Sequence, residues 1–380
     1  MTDERIRVVV LGGGYAGVMA ANRMRRAGID VTVINNRPQF VERIRLHQLV
    51  AGSGEACVDY DEILGAGIRL MVGTAVHIDA ASRIVTLGDG ATIGYDYLIY
   101  ALGSATQPPE FSYSVATLEQ AQHLGQRLNT LGSQDPVTVV GGGLTGVETA
   151  AELAESGYRV ALVCRGQLAP SVSRPARLAL TRRLHRLGVE MIIGPEVSTI
   201  DAESAMLTDG RRLPSLATIW VAGFSVPDLA RASGFSTDDC GRLRTDETLT
   251  SLDDPRIVAA GDAASPSGLA LRMSCQAALP LGAQSANTVL ARIAGEDPAP
   301  ISQAFATQAI SLGRRRGLIQ LTRSDDAALP VYLSGRSAAW GKETICRLTI
   351  SFLRKEARKP GSYRWMRGGR RQAATTRSGA

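Results

Sequence analysis

The chain has 380 residues, 44% of them apolar and 21% charged, which allows two or three domains with ample cores and places it among soluble globular proteins. No apolar run approaches the roughly 18–20 residues that cross a bilayer, and MTDERIR leads directly into a first strand with no room for a secretory signal, so a cytoplasmic protein is expected. The formal charge of +6 is local: from Lys342 onward eleven basic residues face two acidic ones, a balance of +9 that leaves the rest near −3, and the tail therefore suits an anionic partner. The five cysteines, Cys57, Cys164, Cys240, Cys275 and Cys346, form neither C-x-x-C nor C-x-x-x-x-C, which excludes a local redox disulfide and a common zinc pattern. The four histidines show no paired metal spacing, and no metal site is expected.

In chain order, the first element is VVVLGGGYAGVMAAN, Val8 to Asn22, an apolar strand running through a glycine turn into an Ala-rich helix. In that context G-x-G-x-x-G reads as a dinucleotide fingerprint: Gly12 makes the tight turn, Gly14 admits a pyrophosphate to the backbone, and Gly17 allows helix and strand to pack closely. The phosphates rest on a helix N-terminus, where free N–H groups and the dipole favour anions. RPQFVERIRLHQ follows as helix or loop, and period-2 patterning from Ile68 to Leu102 argues for hairpins or an inserted meander. Tyr95 to Ser104 is a buried strand ending in Ala101-Leu102-Gly103, after which Gln107, Pro108 and Pro109 mark a domain crossing.

The fingerprint then recurs 129 residues later in VTVVGGGLTGVETAAELAE, Val137 to Glu155, where Gly141, Gly143 and Gly146 take the same three roles. A helix carrying RLALTRRLHRLG leads to a second buried strand, Leu216 to Phe224. RIVAAGDAA is a strand-to-turn, Cys275 to Ile293 a long Ala-rich helix, and Gly295 to Pro300 a linker to a third unit. In that unit Ile345, Leu348, Phe352 and Leu353 share one face of a basic helix within Trp340–Lys359. The stretch after Pro360 is Gly-, Arg- and Ser-rich and reads as disordered.

Gly12 to Gly17, Ala101-Leu102-Gly103, Gly141 to Glu148, Ala222-Gly223-Phe224 and Ala260-Gly261-Asp262 fall in the order and spacing of the two-dinucleotide-binding flavoproteins, the pyridine nucleotide-disulfide oxidoreductase superfamily. Over about residues 5 to 295 the chain resembles most the type II NADH dehydrogenase branch, which lacks the active cysteines. The resemblance implies an α/β fold with two Rossmann-like, three-layer ββα domains and a smaller α+β C-terminal domain. The FAD domain would be discontinuous, 1–110 and 226–296, with the NAD(P)H domain at 111–225, the C-terminal interface or membrane-association domain at 297–360 and a basic tail at 361–380. It further implies that Gly12, Gly13, Gly14, Tyr15, Ala16 and Gly17 hold FAD with Ala101, Leu102 and Gly103, that Gly261 and Asp262 meet the ribityl chain, and that the backbone of Ala75 and Val76 meets the adenine. Gly141, Gly143, Leu144, Thr145 and Gly146 would hold the phosphates of NADH or NADPH, with Ala222, Gly223 and Phe224 under the nicotinamide. Glu148 would stand near both rings as a catalytic group, or else merely complement the helix dipole. The helix start at Gln276 and Ala277 would stabilise the anion of the reduced ring.

Departures from the family pattern limit this. Asn35 replaces the ribose-binding acid of the first motif, with Arg37 beside it for a phosphate, and Cys164-Arg165 occupies the same place in the second. A missing carboxylate and a nearby guanidinium admit a 2′-phosphate, so NADPH stands beside NADH. CQAALPLG, Cys275 to Gly282, keeps Gln276 and Gly282 of a quinone-pocket run but has Pro280 and Leu281 for its polar pair; His47 takes a usually aromatic position. The expected activity is hydride transfer from nicotinamide to flavin N5 and electron delivery to an acceptor, either a membrane quinone or a soluble carrier or metabolite; a redox sensor without turnover is the alternative. The basic helix would meet an anionic membrane surface, peripheral on its inner face, or else the protein's own core or a homodimer partner. Nucleic acid is not expected, because the tail has few interleaved aromatics.

Overall fold

The computed structural model describes residues 5–368. Two parallel five-stranded sheets form its centre. In the first, the strand Ile6–Leu11 lies between Ile29–Asn35 and Tyr97–Tyr100, with Arg69–Val72 and Ile257–Ala259 at the edges. In the second, Pro136–Val140 lies between Arg159–Cys164 and Ala217–Trp220, with Glu190–Ile193 and Ser112–Tyr113 outside. Strands such as VVVL and VTVV are buried along their length, as a parallel sheet covered on both faces requires. Each half adds an antiparallel three-stranded meander, 75–94 and 197–214, giving the ββα layering expected from the resemblance. The period-2 region therefore divides: Arg69–Val72 joins the parallel sheet and 75–94 is the meander. The RPQFVERIRLHQ segment pairs Gln39–Val41 with Cys57–Asp59 before the short helix Leu46–Val50. The chain crosses between the halves where Ala105 and Ser225 exchange backbone hydrogen bonds of 2.8 and 3.0 Å.

The helix Tyr15–Met24 packs against the helix Cys275–Ile293, and two sequence features of that second helix follow from its position. A Cβ on Gly282 would come within 2.2 Å of the Ala16 carbonyl oxygen, so only glycine permits this approach. Pro280 cannot donate to the carbonyl of Gln276, and that oxygen instead accepts from Gln303 Nε2 at 3.1 Å.

The third unit is an antiparallel sheet of Thr307–Ser311, Gly317–Thr322 and Ala328–Gly335 followed by the helix Arg336–Arg358. This helix lies on that sheet and on the helix Tyr15–Met24. Its buried face differs from the apolar stripe in the sequence: Cys346, Thr349, Ile350, Leu353 and Ala357 turn inward with Glu356, whereas Leu348 is exposed. Polar members are admitted because each is satisfied internally, Thr349 Oγ1 donating to the Cys346 carbonyl at 2.7 Å and Glu356 pairing with Arg23 at 2.9 Å. The expected disorder does not begin at Gly361. Glu356 accepts from the amides of Gly361 and Tyr363, Tyr363 is buried, and Trp365 Nε1 donates to the Ser302 carbonyl at 2.8 Å. The expectation for 369–380 lies outside the described residues. Among the described residues no helix is long and apolar enough to cross a membrane.

Candidate functional site

The two glycine turns are geometrically equivalent. Gly12 has φ +97° and Gly141 φ +129°, left-handed conformations that glycine adopts without strain. A Cβ on Gly17 would sit 1.8 Å from the Gly12 carbonyl oxygen, and one on Gly146 would sit 1.8 Å from that of Gly141. Gly14 and Gly143, by contrast, have nothing within 4 Å of a built Cβ. Each turn thus combines a tight bend, an obligatory close contact and an open space over a helix N-terminus, where an anion is favoured.

A cavity of about 500 Å³ opens from the first turn. It is lined by Gly12, Gly13, Gly14, Tyr15 and Ala16, by Asn35 and Arg37, by Ala75, by Ala101, Leu102 and Gly103, and by Gly261 and Asp262. Thr145, Glu148 and Phe224 reach it from the second half. Gly17 lies behind the turn as its packing contact. Gly141, Gly143, Leu144 and Gly146 belong to the second sheet's glycine turn and helix start, Arg165 follows the strand Arg159–Cys164, and Ala222 and Gly223 follow Ala217–Trp220; none of them lines the cavity. Val76 faces solvent, 49% exposed, while its strand neighbour Ala75 faces the cavity. Neither Gln276 nor Ala277 lines the cavity. The Gln276 side chain accepts from Arg272 at 3.2 Å, the Ala277 amide is capped by Ser274, and Met273, Ser274, Cys275 and Ala278 form the wall instead.

Several expected ligand residues have partners within the protein. Asn35 Oδ1 accepts from the Gly13 amide at 3.0 Å and its Nδ2 donates to the Arg37 carbonyl at 2.9 Å, so the asparagine braces the glycine turn. The Arg37 guanidinium pairs with Glu119. Asp262 accepts from Ser104 Oγ at 2.8 Å, and that hydroxyl accepts from Arg43 at 3.2 Å. In the second half Cys164 Sγ donates to the Gly166 carbonyl at 3.2 Å, and the exposed Arg165 stands 3.5 Å from Glu196.

The far end of the cavity brings together charged and titratable groups, of which the second motif disclosed only Glu148. Glu148 accepts from Lys342 Nζ at 3.0 Å and from the Ser311 amide at 2.9 Å, and Lys342 also donates to the Ala309 carbonyl at 2.9 Å. Burial pushes the Glu148 pKa up, but Lys342, His47 and the Ser311 amide outweigh it and hold the carboxyl below its ordinary range. Burial lowers that of Lys342, yet Glu148 more than compensates and keeps it charged. His47 is buried and lines the same wall; desolvation, reinforced by Lys342 and opposed by Glu148, brings its pKa down to about 4. Its Nε2 is buried without a hydrogen-bond partner among the described residues, so the wall leaves a polar atom unsatisfied. Lys342 arises from a helix nearly two hundred residues downstream of Glu148; its only signal in the sequence was a lysine in an otherwise amphipathic face.

These features fit FAD and a nicotinamide dinucleotide: open spaces at Gly14 and Gly143, a carboxylate at Asp262 and an unsatisfied His47. The family model of pyridine nucleotide-disulphide oxidoreductases matches residues 6–282. A NADH dehydrogenase-like protein of Mycobacterium tuberculosis is 32% identical over 73% of this chain and 78% of its own. The type II NADH:quinone oxidoreductase Ndh of the same organism is 29% identical over 78% and 74%. Among solved structures, NDH2 from Plasmodium falciparum in complex with NADH superposes with a TM-score of 0.78 at 14% identity, covering 94% of this chain and 99% of that one. The five cysteines are all free, so the nucleotide framework is present here without a disulfide. The chain belongs to the pyridine nucleotide-disulphide oxidoreductase family, as an FAD-dependent oxidoreductase of pyridine nucleotides.

Proposed function

We propose that this protein is a NAD(P)H dehydrogenase that delivers electrons to a quinone at a membrane surface. The observation that carries the reading is the Glu148–Lys342 pair at the end of the cavity, a buried ammonium beside the space an acceptor carbonyl would occupy. The names of relatives support it: besides Ndh, a demethylphylloquinone reductase of Synechocystis is 26% identical over 91% of this chain. Bound FAD would supply the two-electron carrier between nicotinamide and acceptor. The first glycine turn, with Asp262 braced by Ser104, would hold and orient that carrier; the second would seat the nicotinamide dinucleotide, with Thr145 and Phe224 at the shared wall. Glu148 would fix the Lys342 ammonium, which donates a hydrogen bond and then a proton to the acceptor oxygen. His47, neutral throughout the physiological range, offers a further polar contact.

Membrane association is supported by the outer side of the third unit, where Val331 and Leu333 are exposed on the strand Ala328–Gly335 and Trp340 on the basic helix that follows it. The test is anaerobic mixing of the FAD-loaded protein with NADH and with NADPH, followed by reoxidation with menaquinone and ubiquinone analogues or a soluble ferredoxin. Rapid bleaching by either dinucleotide and fast reoxidation by a quinone are expected. Reoxidation by the soluble carrier alone would refute the quinone assignment.

A further inference from the structure

We infer that Glu148, Glu152 and Glu155, along one edge of the helix Leu144–Glu155, form a proton path from the surface to the cavity, with Glu152 its buried middle member. The inference rests on the quinone reading above and extends it to residues remote from the reacting atoms. Spacings of four and three residues place the carboxylates one above another on the helix, about 5–6 Å apart at Cβ. Glu148 lines the cavity, Glu152 is 1% exposed, and the Glu155 side chain reaches 23% exposure. The row therefore runs from the cavity through a buried middle member to water.

Glu152 is the unusual member. Its Oε1 accepts from Ser53 Oγ, and its Oε2 is buried without a hydrogen-bond partner among the described residues. A buried carboxylate with a single neutral donor is costly, so the site favours the protonated acid; burial raises its pKa against the opposing pull of Ser53 and Arg314. The neighbouring charges are set from other elements. His47 and Lys342 face Glu148, Ser53 and Arg314 face Glu152, and Arg183 and the Arg314 amide face Glu155. Glu152 thus stands between two carboxylates that each have a cationic partner, Glu148 with Lys342 and Glu155 with Arg183.

The reaction needs such a path. Quinone reduction follows NAD(P)H + H⁺ + Q → NAD(P)⁺ + QH₂: the nicotinamide supplies two electrons and one hydrogen, and the second hydrogen comes from solvent as a proton. Lys342 gives its proton to the acceptor oxygen, Glu152 returns one to the Lys342–Glu148 pair, and Glu155 takes its replacement from water. One proton enters per turnover and no other reactant is required. Glu152 and Glu155 act through Glu148 and do not touch the reacting atoms.

The test uses Glu152→Gln, which keeps the side-chain shape and an acceptor for Ser53 but carries no proton, and Glu155→Gln as a milder variant at the wet end. In the FAD-loaded enzyme, anaerobic reduction by NAD(P)H and turnover with ferricyanide, which takes electrons without protons, should match wild type. Reoxidation by quinone should slow by about 10- to 100-fold, with a displaced pH profile. In cofactor-free protein, a protonated-carboxyl C=O infrared band should titrate above the ordinary glutamate range and vanish in Glu152→Gln. Unchanged quinone reoxidation in both variants, equal slowing with ferricyanide, or no such band overturns the path alone. Absence of quinone turnover in wild type overturns the underlying reading and the path with it.

Discussion

Replacing Lys342 by methionine isolates the interaction on which the cavity depends. The pair is 3.0 Å apart with side chains 13% and 12% exposed, and breaking a buried pair by removing one partner costs about 3–5 kcal/mol. The Ser311 amide remains on Glu148, which puts the pair's loss near the lower end, and the Ala309 carbonyl also loses its donor, adding about 1–3 kcal/mol. Lys342→Met should therefore destabilise the fold by about 4 kcal/mol. Glu148→Gln strands the ammonium and should cost about 3 kcal/mol. The double variant leaves no uncompensated charge; its loss should be about the same as one single variant, which gives a coupling of about 3 kcal/mol. Urea denaturation of all four proteins at neutral pH measures the cycle. The sign of the pH dependence is an independent check: Glu148 is held below its ordinary value of 4.5, so its stabilisation is present above that pH and is lost as pH falls through the folded value. Lys342→Met should flatten this acid limb. A coupling below about 0.5 kcal/mol, the range of exposed ion pairs, would refute the account of the cavity as a closed electrostatic site.

The glycine positions should separate binding from folding. Gly14→Ala and Gly143→Ala, with open space around the new methyl, should melt like wild type but weaken FAD and nicotinamide binding respectively by about tenfold or more, whereas Gly17→Ala and Gly146→Ala should cost about 1–3 kcal/mol in stability; equal melting temperatures for all four would contradict the packing assignment. His47 titrates at about 4 in the fold against an ordinary 6.5, so the unfolded chain protonates first and stability falls by about 3 kcal/mol as pH drops through that interval. His47→Phe should abolish that component, and identical acid sensitivity in the variant would count against it. Arg165→Glu should lower the NADPH-to-NADH ratio of kcat/KM by about tenfold; an unchanged ratio would show that the exposed guanidinium does not read the 2′-position.

What the sequence disclosed and what it hid divide along physical lines. The glycine roles were legible because they are backbone constraints: a positive φ at Gly12 and a Cβ 1.8 Å from a carbonyl at Gly17 leave one residue type. The parallel strands were legible because burial on both faces makes them continuously apolar. Gln276 does not reach the cavity wall because a helix start aims only some of its residues at a neighbouring space, and Met273, Ser274, Cys275 and Ala278 line it instead. The face of the helix Arg336–Arg358 was misjudged because apolar spacing ignores charged residues that are buried with partners; Glu356 with Arg23 and Lys342 with Glu148 are both of that kind. No local pattern announces Lys342 or Ser311, because their meaning is set by a glutamate more than 150 residues away in sequence.

That remoteness bears on how the fold makes a site. The two glycine turns sit each on its own sheet, and the equivalence of their contacts shows the same backbone solution used twice. The far end of the cavity, with Glu148, His47 and Lys342, is different in kind. Glu148 comes from the second half, His47 from the first, and Lys342 and the Ser311 amide from the third unit. Without the third unit Glu148 would lose Lys342 and the Ser311 amide, two of the groups that hold its pKa down. The basic C-terminal helix therefore does two jobs with one element, presenting cations outward while inserting one ammonium inward. A residue pattern that satisfies both must break the clean amphipathic stripe, which is why the helix reads ambiguously as sequence and unambiguously once Glu148 is beside it.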